Sequence, residues 1–241
     1  MMVEEKVELK VVKVVAEPRL SLKRFSQYIV ASERRRRSIL RECKYPNDYV
    51  PRFYEMARKL VCETFEANFD DNGLYFDEFK RQAHAYRNEA KAYPENKDGY
   101  RNRIYSASGL DAICKMSSVL TPILDRSIVN SNLTHRKDSI TKNGVRIGAM
   151  ADMLVYDEIG ATQIGFLKFN FTSKEMSEVE ADAMLFVMNE FFSTKGVKLN
   201  PKSCILVDVC ASRVFSAANM FDVEADIDKY TLEIRNNWGL L

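Results

Sequence analysis

Apolar and polar positions follow one rhythm in the first half of the chain and another in the second. After Pro18 come Leu22, Phe25 and Ile29, then Ile39 and Leu40, at the intervals of a helical face, with Ser21 placed as N-cap. Phe53, Met56, Leu60, Val61 and Phe65 predict a second helix, which Asp70-Asp71-Asn72-Gly73 stops. Phe76, Phe79, Ala83 and Tyr86 mark a third helix over 74–92, with a loop expected over 95–101. Ile104, Leu110, Ile113, Met116, Leu120 and Leu124 mark a fourth, which Pro122 is expected to kink or divide. Residues 3–15, rich in valine at loosely alternating positions, suit an edge strand or an arm.

From residue 133 the period shortens. A strand is expected around 133–141, followed by two strands between Gly144 and Phe171. Ile147, Ala149, Met153 and Val155 build the first, and Ile164, Phe166, Leu167, Phe169 and Phe171 build the second. Asp157-Glu158-Ile159-Gly160 supplies the reversal between them. A helix with Met176, Val179, Ala183, Val187 and Phe191 follows, with Ser173 as its expected cap and its end near Gly196. Cys204–Cys210 is nearly all apolar, as a strand buried on both faces requires, and Arg213–Ala217 is placed to pair with it. Val223, Ile227, Tyr230, Ile234 and Trp238 close the chain with a helix. The fold class is α/β: a mixed sheet with flanking helices and a helical N-terminal half, divided as 1–100 and 101–241.

Composition removes several classes of function. The chain has 241 residues, 46% hydrophobic and 29% charged, enough for a sizeable core. Five scattered cysteines contain no Cys-x-x-Cys pair, so spacing signals no zinc or iron–sulfur site, and reduced thiols are expected. No apolar run approaches a membrane span and the first residues lack a signal peptide's apolar segment, so the expected location is the cytoplasm, with no membrane partner. His84 and His135 are the only histidines, and neither adjoins a nucleophile motif, which argues against a Ser-His-Asp hydrolase. Gly144-Val145-Arg146-Ile147-Gly148 lacks the lysine of a phosphate loop.

A net charge of +2 names no partner, but Arg34-Arg35-Arg36-Arg37 is concentrated, with Lys23, Arg24, Arg41 and Lys44 around it. Each guanidinium offers a planar fork for phosphate oxygens, which makes Arg34, Arg35 and Arg37 candidate nucleic-acid contacts. A solvated charged face is the plainer account, since consecutive helical residues point in different directions.

Two polar residues interrupt the apolar hairpin, Asp152 and Lys168. They suit a cross-strand ion pair, or two members of a metal-dependent phosphodiesterase site. Their spacing resembles the PD-(D/E)XK nuclease superfamily, in particular its RecB-like branch, where an Asp, a hairpin turn and a (D/E)-x-K strand follow in order. The Ser21 helix with its aromatic and basic residues resembles the opening of those nucleases, without their Cys-Pro. The order helix, three strands, helix, strand is also that of the superfamily's core. The resemblance implies a restriction-endonuclease-like core, Asp152 as Mg2+ ligand, Lys168 as catalytic lysine, and nucleic-acid association with other subunits in a bacterial or phage-defence setting. This chain departs from the pattern at Phe166, where the motif requires Glu or Asp. Asp157, Glu175, Glu178 or Glu180, with Glu55, Glu63 or Glu66 from an early helix, are the acids that could substitute. Asp208, alone in an apolar strand, is a further candidate acid. The other class open to such a chain is a non-enzymatic assembly subunit on the same fold.

Overall fold

The computed structural model describes residues 13–47, 49 and 53–241. The alternating stretch expected as a strand over 3–15 falls almost wholly outside the described residues, as does Pro51. Helix α1 spans Leu22–Val30, and the Ser21 hydroxyl caps it by accepting from the Arg24 N–H at 3.3 Å. Its apolar stripe does not run on into the arginines. A second helix, α2, starts afresh over Glu33–Lys44 after two extended residues, Ala31 and Ser32. The break is stable because Arg36 turns back and donates to the carbonyls of Tyr28 and Ile29, both at 3.1 Å, joining the Ala31 N–H that caps Tyr28 and supplying Ile29 with the donor that the end of α1 does not.

Helices α3 (Glu55–Phe65), α4 (Gly73–Ala90), α5 (Asp98–Lys115) and α6 (Ser117–Leu124) follow. Two expectations are corrected here. Helix α5 begins at Asp98, within the stretch expected as loop, and the division before α6 falls at Met116 while Pro122 sits inside α6.

The strands are β1 (Arg19–Leu20), β2 (Ile128–Ser131), β3 (Ser139–Lys142), β4 (Val145–Gly148), β5 (Met153–Tyr156), β6 (Gln163–Asn170), β7 (Cys204–Asp208) and β8 (Arg213–Ser216). They form a three-stranded sheet, β1-β4-β3, and a five-stranded sheet, β2-β5-β6-β7-β8. The strand expected around 133–141 is the shorter β3. The expected first arm of the hairpin is two strands in different sheets, β4 and β5. Between them Ala149 still donates to the Asp138 carbonyl just before β3 of the first sheet, while Asp152 already donates to Leu167 in the second. The reversal after β5 is as expected, with Gly160 at φ +71° and the Asp157 carboxylate accepting from the Ala161 N–H.

In the larger sheet β5 is antiparallel to β2 and β6, while β7 is parallel to β6 and antiparallel to β8. The parallel step needs a crossover, which α7 (Glu178–Thr194) provides. Its N-cap is Ser177 rather than Ser173, because Ser177 and Glu180 satisfy each other's backbone N–H in a capping box. Helix α8 (Glu224–Trp238) ends the chain.

Side-chain alternation along β6 divides the core in two. Phe166 and its neighbours face α1, α2, α7, α8 and the small sheet. Leu167, Phe169 and Phe171 face α3, α4, α5 and α6. The five-stranded sheet therefore lies between two helical layers. Its β2 edge is closed by the end of α3: Asn68 accepts from Val129 N–H at 2.9 Å and returns a bond to the Val129 carbonyl at 3.1 Å, and Glu66 accepts from Ser131 N–H at 3.2 Å.

Gly165 sits where β6 meets the turn preceding β7, and a Cβ there would lie 2.0 Å from the Ser203 carbonyl oxygen. Gly165→Ala is expected to lower stability by about 2 kcal/mol or more, read as a lower urea midpoint at unchanged slope.

Candidate functional site

Asp152 directly precedes β5, and Lys168 lies three residues before the end of the described β6–Phe171 run. Strand alternation puts Phe166, Lys168 and Asn170 on one side of the sheet, and the Asp152 side chain meets Lys168 at the entry to β5, where Arg58 and Cys62 of α3 also come near. The Lys168 ammonium donates to Asp152 Oδ1 at 2.9 Å, and the Phe169 N–H donates to Asp152 Oδ2 at 2.8 Å. Asp152 is fully buried and Lys168 is 12% exposed. Burial pulls the Lys168 amine below the ordinary lysine range; Asp152 opposes that shift and the nearby Arg58 guanidinium adds to it.

Arg58, from α3, brings its Nε to 3.9 Å from Asp152 Oδ2. That nitrogen is buried with no hydrogen-bond acceptor among the described residues, and the guanidinium lies 6.0 Å from the centre of the Phe171 ring. Cys62, one turn further along α3, is a buried thiol held well above its ordinary pKa by burial and by Asp152, which makes it inert. Lys23 on α1 joins the same electrostatic neighbourhood: burial lowers its pKa, then Arg58 and Arg24, against Glu180 and Asp208.

Asp208 ends β7 beside Asn170, its register partner. It is fully buried, accepting from Asn170 Nδ2 at 3.0 Å and from the Met176 N–H at 2.7 Å. Both oxygens are engaged, and the carboxylate ties the approach to α7 onto the sheet.

The residues present do not fit a Mg2+ site. Each oxygen of Asp152 already holds a protein donor. Phe166, at the position of the missing acid, is fully buried with its ring stacked on Phe192, centroids 5.6 Å apart. Among the described residues no group of three His, Cys, Asp or Glu side chains is placed to hold a metal ion. The substitute acids are employed elsewhere. Glu180 closes the capping box, Glu175 and Glu178 pair with Arg213, and Glu63 pairs with Lys59. Glu66 guards the β2 edge, Glu55 meets Arg136, and Asp157 shapes its turn.

The arginine run divides by helical position. Arg34 and Arg37 are exposed, and Arg41 joins them on one stripe at i, i+3 and i+7. Arg35 is engaged with Glu42 at 2.6 Å. Arg36 is structural, with its guanidinium 4.4 Å from the Tyr230 ring centre and bonded to the Tyr230 hydroxyl at 2.9 Å. Arg41 had a signal in its spacing from Arg34. Arg58 had none, since nothing in its helical position separates it from other solvent-side arginines.

All five cysteines are free thiols, and no helix among the described residues is long and apolar enough to cross a membrane. Comparison with models of known protein families, with curated proteins and with solved structures finds no match.

Removing one member of a buried pair strands the other, so Asp152→Ala is expected to cost about 3 kcal/mol, measured by urea unfolding. Because Lys168 has a depressed pKa in the fold, the folded chain releases that proton where the unfolded chain still holds it. Its contribution to stability therefore rises with pH as the ordinary lysine value of about 10.4 is approached. Lys168→Met removes this slope, so the difference in urea midpoint between wild type and variant is expected to widen as the solution is made more alkaline. A constant difference would show that Asp152, Arg58 and Cys62 around it leave the amine at its ordinary value.

Proposed function

We propose that this chain is a nuclease-like module that binds nucleic acid without cutting it, acting as a subunit of a larger assembly. The observation that carries this reading is the state of Asp152, whose oxygens are taken by Lys168 and by the Phe169 N–H. In the nuclease pattern the aspartate and its neighbouring acid share a divalent ion. Here the second acid is an aromatic ring inside the core, and a buried ammonium supplies the charge the carboxylate needs. Within the larger sheet the order α6, then β2, β5 and β6, then α7 and β7 supports the likeness to that frame, with β3 and β4 inserted after β2. The exposed stripe of Arg34, Arg37 and Arg41 supports phosphate contact.

Supercoiled plasmid and single-stranded oligonucleotide incubated with the purified chain in Mg2+ or Mn2+ are expected to stay intact, and neither ion is expected to raise the melting temperature. Metal-dependent nicking that disappears in Lys168→Ala would overturn the non-cleaving reading. Anisotropy titrations are expected to show binding that weakens steeply with salt, and Arg34→Gln with Arg37→Gln is expected to lower the salt slope by about two. A chain that binds neither DNA nor RNA would instead be a protein scaffold.

A further inference from the structure

Beside the Asp152–Lys168 pair, four aromatic rings adjoin one another, and one of them reaches solvent. Phe53 and Tyr54 come just before α3, Tyr105 from α5, and Phe171 just after β6. Phe53 meets Tyr105 at 5.1 Å between centroids, Tyr105 meets Tyr54 at 5.6 Å, and Tyr54 stacks on Phe171 at 6.0 Å with only 20° between the planes. The inner ring, Phe171, is buried, Phe53 and Tyr54 are part-buried, and Tyr105 is 42% exposed. From Phe171 through Tyr54 to Tyr105 the rings pass from the core to solvent, and part-buried Phe53 adjoins Tyr105.

The rings are held in place. The buried hydroxyl of Ser106 donates to the Phe53 carbonyl at 3.1 Å. Gly109 lets the helices close in: a Cβ there would lie 3.1 Å from Phe171 and 3.3 Å from Tyr54. A binding surface fixed in this way loses little side-chain entropy when a ligand lands on it.

Cations flank the row at both ends. Arg58 is at the inner end, its side chain 36% exposed and its Nε without an acceptor among the described residues. Arg101 is exposed one turn before Tyr105 on α5, at i and i+4. Aromatic faces between guanidinium groups suit a polymer with flat rings and a regular negative charge. A duplex keeps the faces of its bases inside the stack, whereas a single strand presents them.

Resting on the proposal that the chain binds nucleic acid uncut, we infer that this row is a stacking platform for the bases of a single strand, with Arg58 and Arg101 on its phosphates. The arginine stripe of α2 would not distinguish single strand from duplex; the aromatic row does.

The test compares three fluorescent probes by anisotropy: a short oligothymidylate, an abasic strand of equal length and charge, and a duplex of that length. Wild type is expected to favour oligothymidylate over both. Tyr105→Ala is expected to weaken oligothymidylate binding about tenfold while leaving the abasic strand unchanged, and Tyr105→Phe to retain wild-type affinity. Arg101→Gln, at a position that bears no packing, is expected to lower the salt slope by about one on oligothymidylate and abasic strand alike. The platform is overturned if wild type holds the abasic strand or the duplex as tightly as oligothymidylate, or if Tyr105→Ala and Arg101→Gln both bind as wild type does. In those cases the uncut nucleic acid is still bound and the broader proposal stands. If wild type binds none of the probes, both fall together.

Discussion

A carboxylate with no contact to water is the constraint around which this fold closes. Asp152 sits at the crossing from the small sheet to the large one, and all its polar groups are used there. Its N–H goes to Leu167 on β6, its carbonyl receives the Asn132 N–H, and its two side-chain oxygens take Lys168 and the Phe169 N–H. One residue thus ties the end of β2, the start of β5 and the body of β6. Burying such a pair recovers little net free energy, because stripping water from two charges offsets most of their attraction. What the pair adds is register: a slip of β6 by one residue would turn Lys168 to the opposite face and leave the carboxylate uncompensated.

The same economy is seen at Asp208. It too is buried at a strand end, and it too is satisfied by one side chain and one backbone N–H. The two acids stand on either side of β6, and Lys168 and Asn170 on that strand answer them in turn. Charge at this end of the sheet is neutralised within the chain, with Arg58 and Lys23 adding cations at its margin.

Much of this was legible in the residue pattern. The strands around the Asp157–Gly160 turn, the buried strand at Cys204 and the closing helix follow from apolar period alone, and the pairing of Asp152 with Lys168 follows from two polar residues in an apolar hairpin. The crossing at Ala149–Asp152 was not legible, since small apolar residues there suit a continuing strand, and only the separate partners of β4 and β5 divide them. Ser177 was legible in principle: it has Glu180 three residues on, whereas Ser173 has Met176. The inward turn of Arg36 could not be read, because it depends on carbonyls at a break between helices and on Tyr230, nearly two hundred residues away.

The tail of α3 sets how this molecule can meet its neighbours. Asn68, held at φ +47°, presents an amide to β2 as a further strand would. The sheet is thereby finished on that flank by its own chain. In the five-stranded sheet strand addition is thereby left to β8, the flank that no further strand among the described residues covers, and two copies meeting there would close as a twofold pair.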